Sequence, residues 1–262
     1  MCLFSVPALG YSCGMILQRT LPYDVMTPRP LPGIAPLGDA PWLLVDEVYA
    51  DQMAERRRLM ASQRDDVIAT ADPDPVVLSK MMQAVLDHLP QGFTRSGDQV
   101  TCPDGRCVRI DPSDPFGTLG QIVQDDICLM EKRGNEHVLT GAVLCFPASW
   151  RLREKIGHPL THIHVPVQSY TDDIARRVQR LFDGVRPGMP IWRFNALWYE
   201  DPSLYQPRAE TEPRNMTEAG KTPYLRTERQ VLWRLPDSDA VLFTIHTFML
   251  ARNDVPGIES VA

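Results

Sequence analysis

Residues 240–250, AVLFTIHTFML, are apolar on both faces of an extended chain, as a central strand must be. This run constrains the fold most, because neighbours have to be found for it on either side. The turn Pro236-Asp237-Ser238-Asp239 ties it to 225–235, LRTERQVLWRL, as an antiparallel hairpin. Alternation along that second run puts Arg226 and Glu228 on one face, opposite to Thr227 and Arg229. Upstream, 190–199 (PIWRFNALWY) also alternates, with Trp192, Phe194 and Trp198 on one face and Arg193 and Asn195 on the other. The segments 127–132 and 138–146 form another hairpin around the polar turn Arg133-Gly134-Asn135-Glu136.

Between these two sets of strands the period becomes helical. Trp150 to Ile156, closed by Gly157, predicts one helix; Thr171 to Val185 predicts another, with Thr171 as its N-cap and Asp172 and Asp173 in its first turn. Its apolar stripe is Ile174, Val178, Leu181 and Phe182. Two strands, then helices, then three strands is the order of an α+β domain: one antiparallel sheet with helices gathered on one face. A cavity between sheet and helices is the natural ligand position in such a fold.

The chain divides into a proline-rich segment (1–40), an N-terminal helical layer with a small hairpin (41–118), and the sheet domain (119–252). In the layer, Trp42, Val45, Val48, Tyr49 and Met53 recur at helical spacing, with the charged run Glu55 to Arg58 as a solvated helix face. The signal Pro73-Asp74-Pro75 starts a second helix over 74–89, striped by Val77, Met81, Val85 and Leu89. Gly97 to Ile110 forms the small hairpin, and the polar stretch 201–223 a loop.

Twenty-seven basic against 33 acidic residues give a net charge of −6, with no basic excess for a nucleic-acid footprint. No apolar run reaches the roughly 18–20 residues of a membrane span. The first twenty residues lack a positive n-region, so the expected location is the cytoplasm. The six cysteines show no CxxC; Cys102 and Cys107 could be a disulfide or half of a metal site, but read best as reduced bystanders near a turn.

No GxGxxG, GxxxxGK[ST], HExxH or GxSxG is present. Chemistry concentrates instead in 157–167, GHPLTHIHVPV, where three of six histidines fall within seven positions. In extended chain His162 and His164 would point to one side, as a two-His metal site or with one as axial haem ligand; surface or core-satisfied histidines are the plainer alternative. Pro166 holds the backbone beyond His164 extended. His246 has the same plain alternative. Arg226 and Glu228, at i and i+2, could hold an anion and a cation in the cavity, or merely form cross-strand ion pairs on a solvated face.

The phrases FPASWRLREKIGHPLTHIHVPVQSY, PIWRFNALWYEDPSLYQP and LRTERQVLWRLPDSDAVLFTIHTF resemble the haem-dependent oxidative N-demethylase alpha-subunit family, in register from about Trp42, through DDICLM, to Phe248. The resemblance implies a Per-ARNT-Sim (PAS) type fold with haem b between sheet and helices. It implies oxidation of dimethylamine to methylamine and formaldehyde with O2 and NADPH electrons. Those electrons come through companion reductase subunits carrying FMN and a 2Fe–2S centre, and tetrahydrofolate takes up the formaldehyde. The subunit would then work within a homo- or hetero-oligomer.

Residue by residue, IHVPV matches the family's Ile-His-x-Pro-Val, so His164 becomes the proximal iron ligand, with His162 in reserve. Arg226 and Glu228 lie in the family's Arg-x-Glu-Arg-Gln phrase on the distal side. There Glu228 would hold the substrate ammonium or accept its proton, and Arg226 would polarise bound oxygen. Arg229 could pair with a haem propionate. Where relatives often read Phe-Thr-Ile-Arg-Thr, this chain has His246, a departure in a position that could touch the cofactor. The alternatives are a haem-binding gas sensor without turnover, which needs no anionic amine contact, and a zinc or copper protein built on His162 and His164.

Overall fold

A computed structural model describes residues 14–27, 33–163, 172–212 and 222–258. The first half contains β1 (Ala35–Pro36), α1 (Tyr49–Ser62), α2 (Arg64–Val67), β2 (Ile68–Thr70) and α3 (Pro75–Asp87). Then come β3 (Thr94–Ser96), β4 (Gln99–Thr101), β5 (Cys107–Arg109) and α4 (Pro115–Gly120). The second half holds β6 (Asp126–Arg133), β7 (Glu136–Val143), α5 (Leu160–Ile163) and α6 (Asp172–Gly184). It closes with β8 (Ile191–Tyr199), β9 (Tyr224–Arg234) and β10 (Val241–Ala251).

The doubly apolar run is β10, fourth in the seven-stranded sheet β1-β8-β9-β10-β6-β7-β2, whose paired strands are all antiparallel. Its neighbours β9 and β6 leave it no exposed edge. On one face Ile127, Leu129, Val231, Trp233 and Leu242 pack with Met53 and Leu59 of α1, Met81 and Val85 of α3 and Phe116 of α4. On the other, Cys128, Met130, Leu232, Val241 and Ile245 pack with Leu160 of α5 and Phe182 of α6. The α+β class holds, but helices cover both faces, because the N-terminal layer occupies the side that α5 and α6 leave free. Gly141 permits this close approach: a Cβ there would stand 2.4 Å from the Phe116 ring. No helix among the described residues is long and apolar enough to cross a membrane.

Local chemistry set the α3 boundary as expected. Asp74 accepts a hydrogen bond from the Val76 amide at 2.7 Å, and Pro75 occupies the first turn, where no donor is needed. Elsewhere tertiary contacts overrode periodicity. α1 starts at Tyr49 rather than near Trp42, whose indole instead enters the core and donates to the Thr244 hydroxyl at 3.1 Å. The helix expected over 150–156 shrinks to a 3₁₀ turn, Leu152–Glu154. The small hairpin gains a third strand, β3, and Cys102 and Cys107 flank its turn as free thiols. The described part of the proline-rich segment is also pinned: the Gln18 amide donates to the Met249 carbonyl at 2.8 Å, and Tyr23 stacks on Phe194 at 4.8 Å.

The charged run 55–58 is only partly a solvated face. Glu55 and Arg58 pair in the open at 2.6 Å, but Arg56 is fully buried, its guanidinium on Asp126 at 2.5 Å and on the Gly120 and Gln124 carbonyls at 3.3 Å. Asp126 in turn accepts from the amides of Cys145 (2.7 Å) and Phe146 (2.9 Å). Removing one half of a buried pair strands the other charge away from water, so Arg56→Met should lower stability by about 3–5 kcal/mol, whereas Arg58→Ala should cost less than about 1 kcal/mol. Urea unfolding of the two variants beside the parent chain measures both; equal, small losses would show that Asp126 tolerates solitude.

Candidate functional site

Register turns three strands into one polar surface. Asn195 of β8 lies opposite Glu228 of β9, Arg193 opposite Gln230, and Thr247 of β10 opposite Glu228 from the other side. These side chains share the face on which α5 and α6 pack. Glu228 is 5% exposed. One carboxylate oxygen accepts from the Asn195 amide at 2.9 Å and the Gln230 amide at 3.2 Å; the other lies 3.4 Å from the Arg226 guanidinium. Asn195 also accepts from the Glu228 backbone amide at 3.2 Å, so the strand pair and the side-chain pair hold each other.

Arg226 is more completely enclosed, at 1% exposure. It donates to the carbonyls of Leu204 (2.9 Å) and Phe146 (2.6 Å), and its guanidinium lies 5.9 Å from the Tyr199 ring centre. Its Nε and the Thr247 hydroxyl are buried without partners, beside the Glu228 carboxylate. Phe146 joins this cluster to the Arg56 pair: its amide donates to Asp126, its carbonyl accepts from Arg226, and Arg56 lies 5.5 Å over its ring. Sequence alternation correctly grouped Arg226 with Glu228. It also grouped Arg193 with Asn195, but which residues they would face is a matter of register, and Gln230 and Thr247 passed unnoticed.

Arg229 and His246 are not brought to this surface. They are cross-strand partners on the opposite face, under the N-terminal layer. The Arg229 fork is filled by the carbonyls of Trp42 (2.9 Å) and Pro41 (2.6 Å), and its guanidinium lies 5.8 Å from the Trp192 ring centre. His246 is fully buried between two carboxylates, Nε2 3.1 Å from Asp46 and Nδ1 3.2 Å from Asp125. Asp46 also accepts from Gln18 at 2.8 Å and Gln124 at 2.7 Å. Both side chains therefore brace the layer onto the sheet, with their partners on the face away from Glu228.

Of the clustered histidines, His164 lies outside the described residues, as does Thr171, the expected N-cap of α6. His162 is exposed in α5, not in extended chain, with its ring stacked on His158 at 4.2 Å. The extended His162/His164 pair is thus not formed on the His162 side. Among the described residues no three His, Cys, Asp or Glu side chains are arranged so that they could hold a metal ion. α5 nonetheless packs through Leu160 on the Glu228 face, which brings the chain to that side just before His164.

The seven-stranded antiparallel sheet, with helices on both faces and a hydrogen-bonded buried carboxylate on one of them, defines an α+β protein. The chain belongs to the haem-dependent oxidative N-demethylase, alpha subunit-like family, whose model matches residues 33–261.

The His246 arrangement makes a pH prediction. Burial alone pulls its pKa down, but the Asp125 charge and the hydrogen bonds to Asp125 and Asp46 outweigh this and lift it from 6.5 to about 9. A raised folded-state pKa means the folded chain binds the proton more tightly than the unfolded one. Its stabilisation is complete below pH 6.5 and is lost as pH rises through about 9. Melting temperature should fall over that interval, and His246→Gln should flatten this part of the profile; a parallel profile for the variant would disprove the assignment.

Proposed function

We propose that this chain is the haem-carrying subunit of an oxidative N-demethylase that acts on a small secondary amine of the dimethylamine type. The observation that carries the reading is Glu228, a carboxylate nearly enclosed on the helix-covered sheet face and oriented by Asn195, Gln230 and Arg226. A desolvated carboxylate held by three donors is an anchor for an ammonium ion. Family membership supplies the haem dependence.

The residues present fit haem b. The partnerless Arg226 Nε and Thr247 hydroxyl leave polar capacity unspent on the face that would meet it. His164, next in sequence after α5, is the proposed iron ligand, and His162 the reserve. Bound there, haem supplies the oxygen activation and one-electron chemistry that side chains lack. Glu228 binds the substrate ammonium and takes its proton, which frees the nitrogen lone pair. Arg226 positions that carboxylate, and Asn195 keeps it from turning. Burial within the sheet face keeps water from the Glu228 carboxylate. The overall reaction converts dimethylamine, O2 and two electrons with two protons into methylamine, formaldehyde and water.

Companion reductase subunits with FMN and a 2Fe–2S centre deliver the NADPH electrons, tetrahydrofolate collects the formaldehyde, and the assembly works in the cytoplasm. The sheet with helices packed on the Glu228 face supports a PAS-like classification of 119–252.

Haem-supplemented protein should show a Soret band that His164→Ala abolishes or shifts. Dimethylamine should perturb the ferric spectrum, and Glu228→Gln should weaken that binding about tenfold or more, the cost of a charge-assisted hydrogen bond. Formaldehyde release under a chemical reductant separates turnover from gas sensing. Unchanged amine binding in Glu228→Gln would move the anchor elsewhere.

A further inference from the structure

Four arginines lie on β8 and β9, and three are spoken for, Arg234 by its ion pair with Asp239 at 2.7 Å. Arg226 is held by the Leu204 and Phe146 carbonyls, Arg229 by those of Pro41 and Trp42. Arg193 differs. It lies on the Glu228 face, half-buried, and its enclosed Nε has no acceptor. No hydrogen bond or ion pair ties its guanidinium to another described residue. Burial pulls its pKa down, with the Glu228 charge opposing. Glu228 lies on the same face but makes no ion pair with this guanidinium.

A guanidinium partly removed from water and given no acceptor is an incomplete site, and the planar fork is matched best by a carboxylate. We infer that Arg193 is the anion-binding residue of the Glu228 surface and holds a ligand carboxylate. A haem propionate is one source of that group, and in this form the inference rests on the haem reading above. A free carboxylate ligand is the other. The assignment replaces Arg229, whose fork is filled and faces the other way. Arg193 and Glu228 would then divide the surface: a cation for the acidic edge of one ligand, an anion for the amine of another.

The test compares two porphyrins. The full-chain apoprotein is titrated with ferric haem and with its dimethyl ester, in which both propionates are masked, and the Soret band is followed. The parent should prefer the free acid by about ten- to a hundredfold, the worth of a hydrogen bond to a charged group. Arg193→Gln should bind both porphyrins alike, and Arg229→Gln should keep the preference. Circular dichroism checks folding, and Arg193→Met serves as a second neutral variant. A parent-like preference in a folded Arg193 variant overturns the inference.

If the parent gives no Soret band with either porphyrin, the haem reading fails by itself. Butyrate then decides: a rise in melting temperature that requires Arg193 retains the carboxylate site. No such rise removes it.

Discussion

The buried pair of Arg56 and Asp126 is the joint on which the remaining architecture is assembled. Two opposite charges can leave water only together, and only where other polar groups complete their hydrogen bonds. That requirement ties α1 to the start of β6, and through the Cys145 and Phe146 amides to the chain leaving β7. Phe146 then accepts from Arg226, which reaches Glu228. A continuous line of hydrogen bonds thus runs from the N-terminal layer to the candidate amine anchor. Its members are almost all enclosed, so none can shift without leaving a neighbour unsatisfied. This is how a small-ligand site acquires a rigid back wall.

β9 divides its charges between two tasks by strand alternation. Arg226 and Glu228 face the α5 and α6 side; Arg229, next after Glu228, faces the N-terminal layer and fastens Pro41 and Trp42. His246, across from Arg229, neutralises Asp46 and Asp125. His246 is therefore a brace between the sheet and the N-terminal layer, on the face opposite Glu228. What the position needs is a positive charge between two carboxylates. A histidine meets that need with its proton held by them, at the expense of a dependence on pH.

Family membership and the site geometry bear on different levels of the functional reading. Membership speaks for haem dependence and oxidative N-demethylation across nearly the whole chain. Glu228 bears on why an amine would bind, and Arg193 on how an acidic ligand edge would be held. Neither follows from the fold class, since one antiparallel sheet with helices serves many chemistries.

Strand positions were legible in the chain itself: alternation in 190–199 and 225–235 and its absence in 240–250 placed β8, β9 and β10 within one residue of their observed ends. Period two depends only on local backbone geometry, so it survives folding unchanged. Asp74 and Pro75 announced α3 for a similar reason, because a cap acts within one turn. Partnership was not legible. That Arg56 is buried, that Arg229 and His246 brace the layer, and that Asn195, Gln230 and Thr247 surround Glu228 all follow from register and from contacts between residues as many as 200 positions apart. A charge spends the same letter on solvent as on a buried mate, and only packing in three dimensions tells the two apart.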